Sequence, residues 1–133
     1  MAVLIDTDVL IDWERGNAPT VLEAAVGSEE SAVSVITVSE LLHGVQRASG
    51  SRRYRRLAFV EHVLDGFEPI PITTAVARVH AELWADIEGR GDTLGAHDLW
   101  IAATALAHGF GVVTRNDRDF ARVSGLRVVV AGS

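Results

Sequence analysis

Four positions in this sequence could do chemistry together: Asp6, Glu40, Asp98 and the pair Asn116-Asp117. Each directly follows an apolar run or opens a helical pattern. Carboxylates gathered at one place repel one another, so their pKa values rise unless a cation lies among them. Oxygen-only ligation, in a chain without cysteine, selects hard ions such as Mg²⁺ or Mn²⁺ over zinc. Such an ion lowers the pKa of water and stabilises charge developing on a phosphoryl group. The chemistry within reach is hydrolysis of a phosphodiester with neither a serine nor a cysteine nucleophile.

The elements expected to position these groups follow from the chain in order. Ala2 to Ile5 is a short apolar run, as in a strand buried on both faces of a parallel sheet. It runs straight into Asp6-Thr7-Asp8, beyond the carboxyl end of that strand, where open α/β sheets bind ligands. Val9 to Glu14 reads as a short helix stopped near Gly16, and Pro19 opens a second helix over Thr20 to Val26. Ser31 to Ile36 is the second strand, followed by a Thr37/Glu40 capping box that starts the next helix. Arg52 to Leu64 is helical, with Tyr54, Leu57, Ala58, Val60 and Leu64 as core positions. Phe67 to Ile72, with two prolines, is a short edge strand. A long helix capped by Thr73-Thr74 carries Val76, Val79, Leu83, Trp84 and Ile87 at helical spacing. Asp98 begins a helix over Leu99 to Ala107, and Gly111 to Thr114 and Leu126 to Val130 are the last two strands.

This alternation predicts a single α/β domain with a mainly parallel central sheet of 4-5 strands flanked by helices. In such a sheet the helix N-termini and the strand C-termini share one edge. Asp6, Glu40, Asp98 and Asn116-Asp117 can therefore converge although they are far apart in sequence.

The length of 133 residues suits one domain with a proper core. A hydrophobic fraction of 48% with 23% charged residues is ordinary for a soluble protein. Val3 to Ile5 is too short for a signal-peptide core, and no apolar run has the length to span a bilayer. A cytoplasmic location without membrane association is the expectation. The net charge of −6 argues against a broad nucleic-acid-binding surface, but bound divalent cations reverse the local field. All 12 basic residues are arginine.

At the motif level, Leu4-Ile5-Asp6-Thr7-Asp8 and Ser39-Glu40-Leu41 resemble the first two acidic motifs of the PIN-domain nucleases. Asp98-Leu99-Trp100-Ile101-Ala102-Ala103 resembles the third, and Thr114-Arg115-Asn116-Asp117-Arg118-Asp119-Phe120 the fourth. The resemblance covers essentially the whole chain and is greatest to the VapC toxins of bacterial toxin–antitoxin pairs. It implies a Mg²⁺-dependent endoribonuclease, with Mn²⁺ able to substitute, that is a homodimer and is held inactive by a cognate antitoxin. Asp6 and Asp98 would be the main metal ligands, and Glu40 would orient or activate the attacking water, directly or through the metal. Thr7 and Thr114 offer hydroxyls near the cluster. The position usually carrying a fourth acid falls on Asn116, which with Glu40 would complete the metal ligands as a neutral donor; Asp117, as a catalytic acid, or Asp119 could replace it.

Plainer roles compete with these. Asp6 and Asp8 could cap the following helix, which is the preferred reading for Asp8. Glu40 could serve only its capping box, and Asp98 only the helix macrodipole. The five histidines lack metal-ligand spacing, although His97 adjoins Asp98. Trp13, Trp84 and Trp100 suit core or interface positions; Leu10, Ile11 and Trp13 could line a groove for an antitoxin helix. Arg52, Arg53, Arg55 and Arg56 form the basic patch, either a solvated face or a contact for RNA phosphate or antitoxin. Asp6-Thr7-Asp8 also fits the acid pair of a haloacid-dehalogenase-type phosphatase, but the usual lysine is missing. A receiver domain fails because neither its phosphoacceptor aspartate at the end of the third strand nor its partner lysine at the fifth is present, and a PIN-like module that binds without cutting need not keep Asp6, Glu40 and Asp98 together.

Overall fold

The computed structural model describes residues 2–16 and 26–131. Of the helix expected over Thr20 to Val26, residues 20–25 lie outside the described residues. Five strands form one sheet: β1 (Ala2–Ile5), β2 (Glu30–Ser34), β3 (Pro69–Ile70), β4 (Gly111–Thr114) and β5 (Val128–Val130). Every pairing is parallel, in the order β3-β2-β1-β4-β5. Among the described residues six helices flank it: α1 (Thr7–Glu14), α2 (Val35–Arg47), α3 (Gly50–Gly66), α4 (Thr74–Gly89), α5 (Ala96–His108) and α6 (Asp117–Phe120).

The apolar run at the start of the chain forms the central strand because it can bury both faces. Val3 and Ile5 join Val33, Leu41, Val45, Val60, Val63 and Val113 in one layer. Leu4 and Val112 face the opposite layer, with Val76, Leu83, Leu99, Ile101 and Phe120. Alternating side chains thus split one strand between two cores, with α1–α3 over one face and α4–α6 over the other. Ala102, Ala103 and Ala105 on α5 are fully buried, and their small side chains let this helix lie close to its neighbours. Gly109 ends α5 with φ +69°, a left-handed conformation that costs glycine little.

Several local expectations change. β2 stops at Ser34, whose Oγ accepts from the Ile36 amide, so Val35 and Ile36 belong to α2. Ser34 caps α2 in place of the Thr37/Glu40 box, and Glu40 lies in the second turn. Tyr54, Leu57 and Ala58 are exposed rather than in the core. Two apolar stripes overlap on α3, and the one with Phe59, Val60 and Val63 wins because it meets α2 and Trp13. Trp84 is half exposed, whereas Val76, Leu83 and Ile87 are buried as expected. Helix α6 is too short to show a periodicity and is absent from the sequence reading. Its sheet-edge expectation for the proline strand holds, though β3 is only 2 residues long.

Arg127 fastens the end of the sheet remote from Asp6. Its Nη2 lies 2.9 Å from Glu29 Oε1 and its Nη1 donates to Glu29 Oε2 at 3.2 Å. Nη2 also donates to the Ala2 carbonyl at 3.3 Å. A Cβ on Gly111 would stand 3.0 Å from this guanidinium, tighter than ordinary contact. Gly111→Ala is therefore expected to cost about 1–2 kcal/mol and a few degrees of Tm. Thermal unfolding of the double variant with Arg127→Ala should show less than the sum of the single losses. Strictly additive losses would show that Gly111 serves some other purpose.

Candidate active site

Parallel pairing fixes where the first acid must lie. Ile5 is registered with Val113, so the next residues, Asp6 and Thr114, emerge side by side at the carboxyl edge. The Asp6 amide donates to the Val113 carbonyl at 2.9 Å, continuing the ladder by one bond. This is also where the strand order turns back, since β2 and β3 lie on one side of β1 and β4 on the other. Such switch points are where open α/β sheets bind ligands.

Asp6 is only 4% exposed. It is the N-cap of α1, with Oδ1 accepting from the Thr7 amide at 2.8 Å. Its Oδ2 accepts from the Thr114 hydroxyl at 2.8 Å. Capping and membership of the acid cluster therefore coexist in one residue. Burial, then the Asp8 charge, push its pKa up to about 7; Asp98 adds to this while Thr114 and the Thr7 amide oppose it. The hydrogen bonds compensate only partly.

Asp98 stands in the first turn of α5, on the open side of the same edge. Burial pushes its pKa up to about 6, and the charges of Glu40, Asp119 and Asp8 reinforce the rise, with His97 pulling the other way. Glu40, Gly95, Ala96, His97 and Asp98 line an open depression of about 370 Å³. Glu40 is held through Thr7, whose Oγ1 donates to Oε1 at 2.7 Å and lies 3.0 Å from Thr37 Oγ1. The other oxygen of Glu40 lies 3.4 Å from His97 Nδ1. Thr7 thus ties the β1–α1 junction to the acid on α2.

The fourth acidic region is resolved by the short turn of α6. Asp117, the first residue of that helix, is exposed and does not figure among the charges that raise Asp6 or Asp98. Asp119 is half-buried and acts on Asp98. Asn116 donates its side-chain amide to Asp119 Oδ2 at 2.7 Å, and its backbone N–H donates to Thr114 Oγ1 at 2.8 Å. Asp8, read from sequence as a cap, also joins the cluster. Asp6 already occupies the cap, and Asp8 instead accepts from the Arg115 amide with both oxygens at 3.3 Å. The i, i+2 spacing of Asp6 and Asp8 was the available signal, and the strength of aspartate as a capping residue masked it.

Among the described residues, no three acidic or imidazole groups are close enough to share one ion directly. Histidines other than His97 take no part. His80 stacks on Trp100 at 3.5 Å and is met edge-on by Trp84, and burial holds its pKa low. The arginine patch is remote from the acids. Arg52, Arg53 and Arg55 are exposed, while Arg56 donates to the Gly44 carbonyl at 3.0 Å and pairs with Glu14 at 3.5 Å. Ile11, Glu14, Leu41, Arg47, Arg52 and Arg56 border a groove of about 360 Å³. It lies beside the C-terminal ends of α1 and α2, whose N-terminal ends face the acid cluster.

Comparison with known proteins agrees with this geometry. Residues 3–126 match the PIN domain family model. The chain is 36% identical over 134 residues to ribonuclease VapC1 of Rickettsia felis, covering 100% of this chain and 98% of that protein. It is also 36% identical over 125 residues to ribonuclease VapC5 of Mycobacterium tuberculosis, covering 93% and 89% respectively. Among solved structures, DNA-bound VapBC from Salmonella typhimurium superposes with a TM-score of 0.89 at 26% identity over 99% of each chain. VapBC-5 from Mycobacterium tuberculosis gives 0.79 at 33% identity over 99% of this chain and 98% of that one. By sequence along its length and by fold, the chain belongs to the PIN-domain family, within the VapC ribonucleases.

Proposed function

We propose that this chain is a divalent-metal-dependent endoribonuclease and the toxin of a toxin–antitoxin pair. The observation that carries the reading is the pairing of Asp6 and Asp98. These two carboxylates, far apart in the sequence, lie at the switch point and both are harder to ionise than free carboxylates: burial and the Asp8 charge raise both, and Asp98 adds to the rise at Asp6. A site of this kind stores repulsion that a cation relieves. The oxygen-only donor set suits Mg²⁺, with Mn²⁺ able to substitute. Mg²⁺ keeps several waters and is bound through one or two carboxylates plus substrate phosphate, so Asp6 and Asp98 would suffice to hold it.

Asp6 and Asp98 would hold the ion, with Asp8 and Asp119 adding negative charge around it. Asp119 is the preferred fourth acid over Asp117, and Asn116 orients it. When bound, the cation neutralises charge developing on the scissile phosphodiester and acidifies water. Glu40, fixed by Thr7 on one oxygen, would take a proton from the attacking water with the other. Thr114 keeps Asp6 turned toward the edge by donating to it.

Antitoxin would occupy the groove between α1, α2 and α3, in contact with Arg52, Arg53, Arg55 or Arg56, because this groove lies away from the acids. The relatives solved as VapBC complexes support such a partner. A homodimer acting on RNA in the cytoplasm is part of the same reading. Among the described residues no helix is long and apolar enough to cross a membrane.

Two outcomes follow. The folded pKa of Asp6 lies above its unfolded value of 3.8, so its contribution to stability is intact below about pH 4 and is lost as pH rises through about 7. In metal-free protein, Asp6→Asn should stabilise by roughly 2–4 kcal/mol at pH 8 and by almost nothing at pH 4. Equal Tm shifts at both pH values would contradict the repulsion. Separately, antitoxin-free protein should cut structured RNA with Mg²⁺ and not with EDTA. Asp6→Asn and Asp98→Asn should abolish cutting, Glu40→Gln should slow it about 10²–10⁴-fold, and Thr7→Val by about tenfold or more. A folded wild type that binds RNA but never cuts it would be a non-catalytic PIN module.

A further inference from the structure

We propose that Arg115 anchors a backbone phosphate of the RNA at the lip of the carboxylate cluster, with Asp12 holding its guanidinium in place until RNA arrives. The inference rests on the nuclease reading and names a residue for substrate placement. An RNA strand nearing this edge meets Asp6, Asp8, Glu40, Asp98 and Asp119. Beside a cation, a correctly placed arginine draws a phosphate inward against that negative field with its planar fork.

Arg115 lies between the two residues that organise the cluster. Thr114 before it holds Asp6, and Asn116 after it holds Asp119. Its own amide is pinned to both oxygens of Asp8. The backbone at this point is therefore as fixed as the acids themselves. The side chain turns back over α1, where Nη1 lies 2.8 Å from Asp12 Oδ1, and it remains 49% exposed. Asp12 is less exposed, at 20%, so water competes chiefly for the guanidinium, and an exposed arginine paired this way is weakly held. Exchanging Asp12 for a phosphate replaces one anion by another and admits two parallel N–H···O bonds.

Two other arginines near this edge are committed elsewhere. Arg122 donates to the Thr93 carbonyl at 2.8 Å and lies 3.6 Å from Asp119. Arg90 donates to the Arg122 carbonyl at 2.6 Å and pairs with Asp86 and Asp92. These contacts close the loops around residues 90–95 and 121–125. Arg118, exposed on α6, has the same charge without the tether to the cluster.

The test compares Arg115→Ala, Arg115→Lys, Asp12→Asn and Arg118→Ala in the full chain, by steady-state cleavage of structured RNA. Binding of the same RNA is measured across salt concentrations in the non-cutting Asp6→Asn background. Arg115→Ala should raise KM about tenfold with kcat within about threefold, and flatten the salt slope by about one. Arg115→Lys should recover part of this, Arg118→Ala should match the wild type, and Asp12→Asn should leave KM unchanged or lower. Unchanged KM and salt slope in Arg115→Ala would overturn the proposal. So would a loss in Asp12→Asn equal to that in Arg115→Ala, which would make the ion pair purely structural. A wild type that neither binds nor cuts RNA would instead remove the nuclease reading itself.

Discussion

The catalytic edge depends on one costly placement, a carboxylate buried between two strand ends. Asp6 cannot move outward, because its own amide continues the β1–β4 ladder and its side chain caps α1. Nor can β1 move, because Val3, Leu4 and Ile5 are shared between the two apolar layers and are wholly buried. The hydrophobic core thus supplies the rigidity that keeps an unfavourable charge in place. Water alone would not leave a carboxylate there.

From this fixed point the remaining groups are set by short links. Thr114 follows from strand register, Thr7 from the first turn of α1, and Glu40 from its bond to Thr7. Asp98 arrives separately on α5, whose alanine-rich face lets the helix lie close to the sheet. The N-terminal ends of α1 and α5 point to this edge, and their partial positive charge offsets some of the repulsion. Asp6 and Asp98 remain harder to ionise than free carboxylates even so. Under the proposed function, a site of this design would trade stability of the metal-free protein for affinity toward a cation and, through it, toward phosphate.

The central strand, the parallel sheet and the meeting of Asp6, Glu40 and Asp98 at one sheet edge could be read in the sequence, since each depends on local pattern and order along the chain. Other features depend on tertiary competition. On α3, Tyr54, Leu57 and Ala58 sit at core-like spacing, but the neighbouring stripe meets Trp13 and leaves them outside. At α6, a helix of 4 residues decides that Asp119 rather than Asp117 acts on Asp98, and no periodicity announces so short an element. Asp8 could not be assigned because aspartate is equally at home as a cap and as a member of an acid cluster. The bond from the Arg115 amide and the approach of the Thr114 hydroxyl separate the two roles.

Direct titration of the Asp6 and Asp98 carboxyl carbons by NMR, in metal-free protein and with Mg²⁺ added, is the most direct test of this account. The account predicts that without metal Asp6 titrates near 7 and Asp98 near 6, and that Mg²⁺ drives both well below these values. Ordinary carboxylate titration in both conditions, with no response to Mg²⁺, would contradict it.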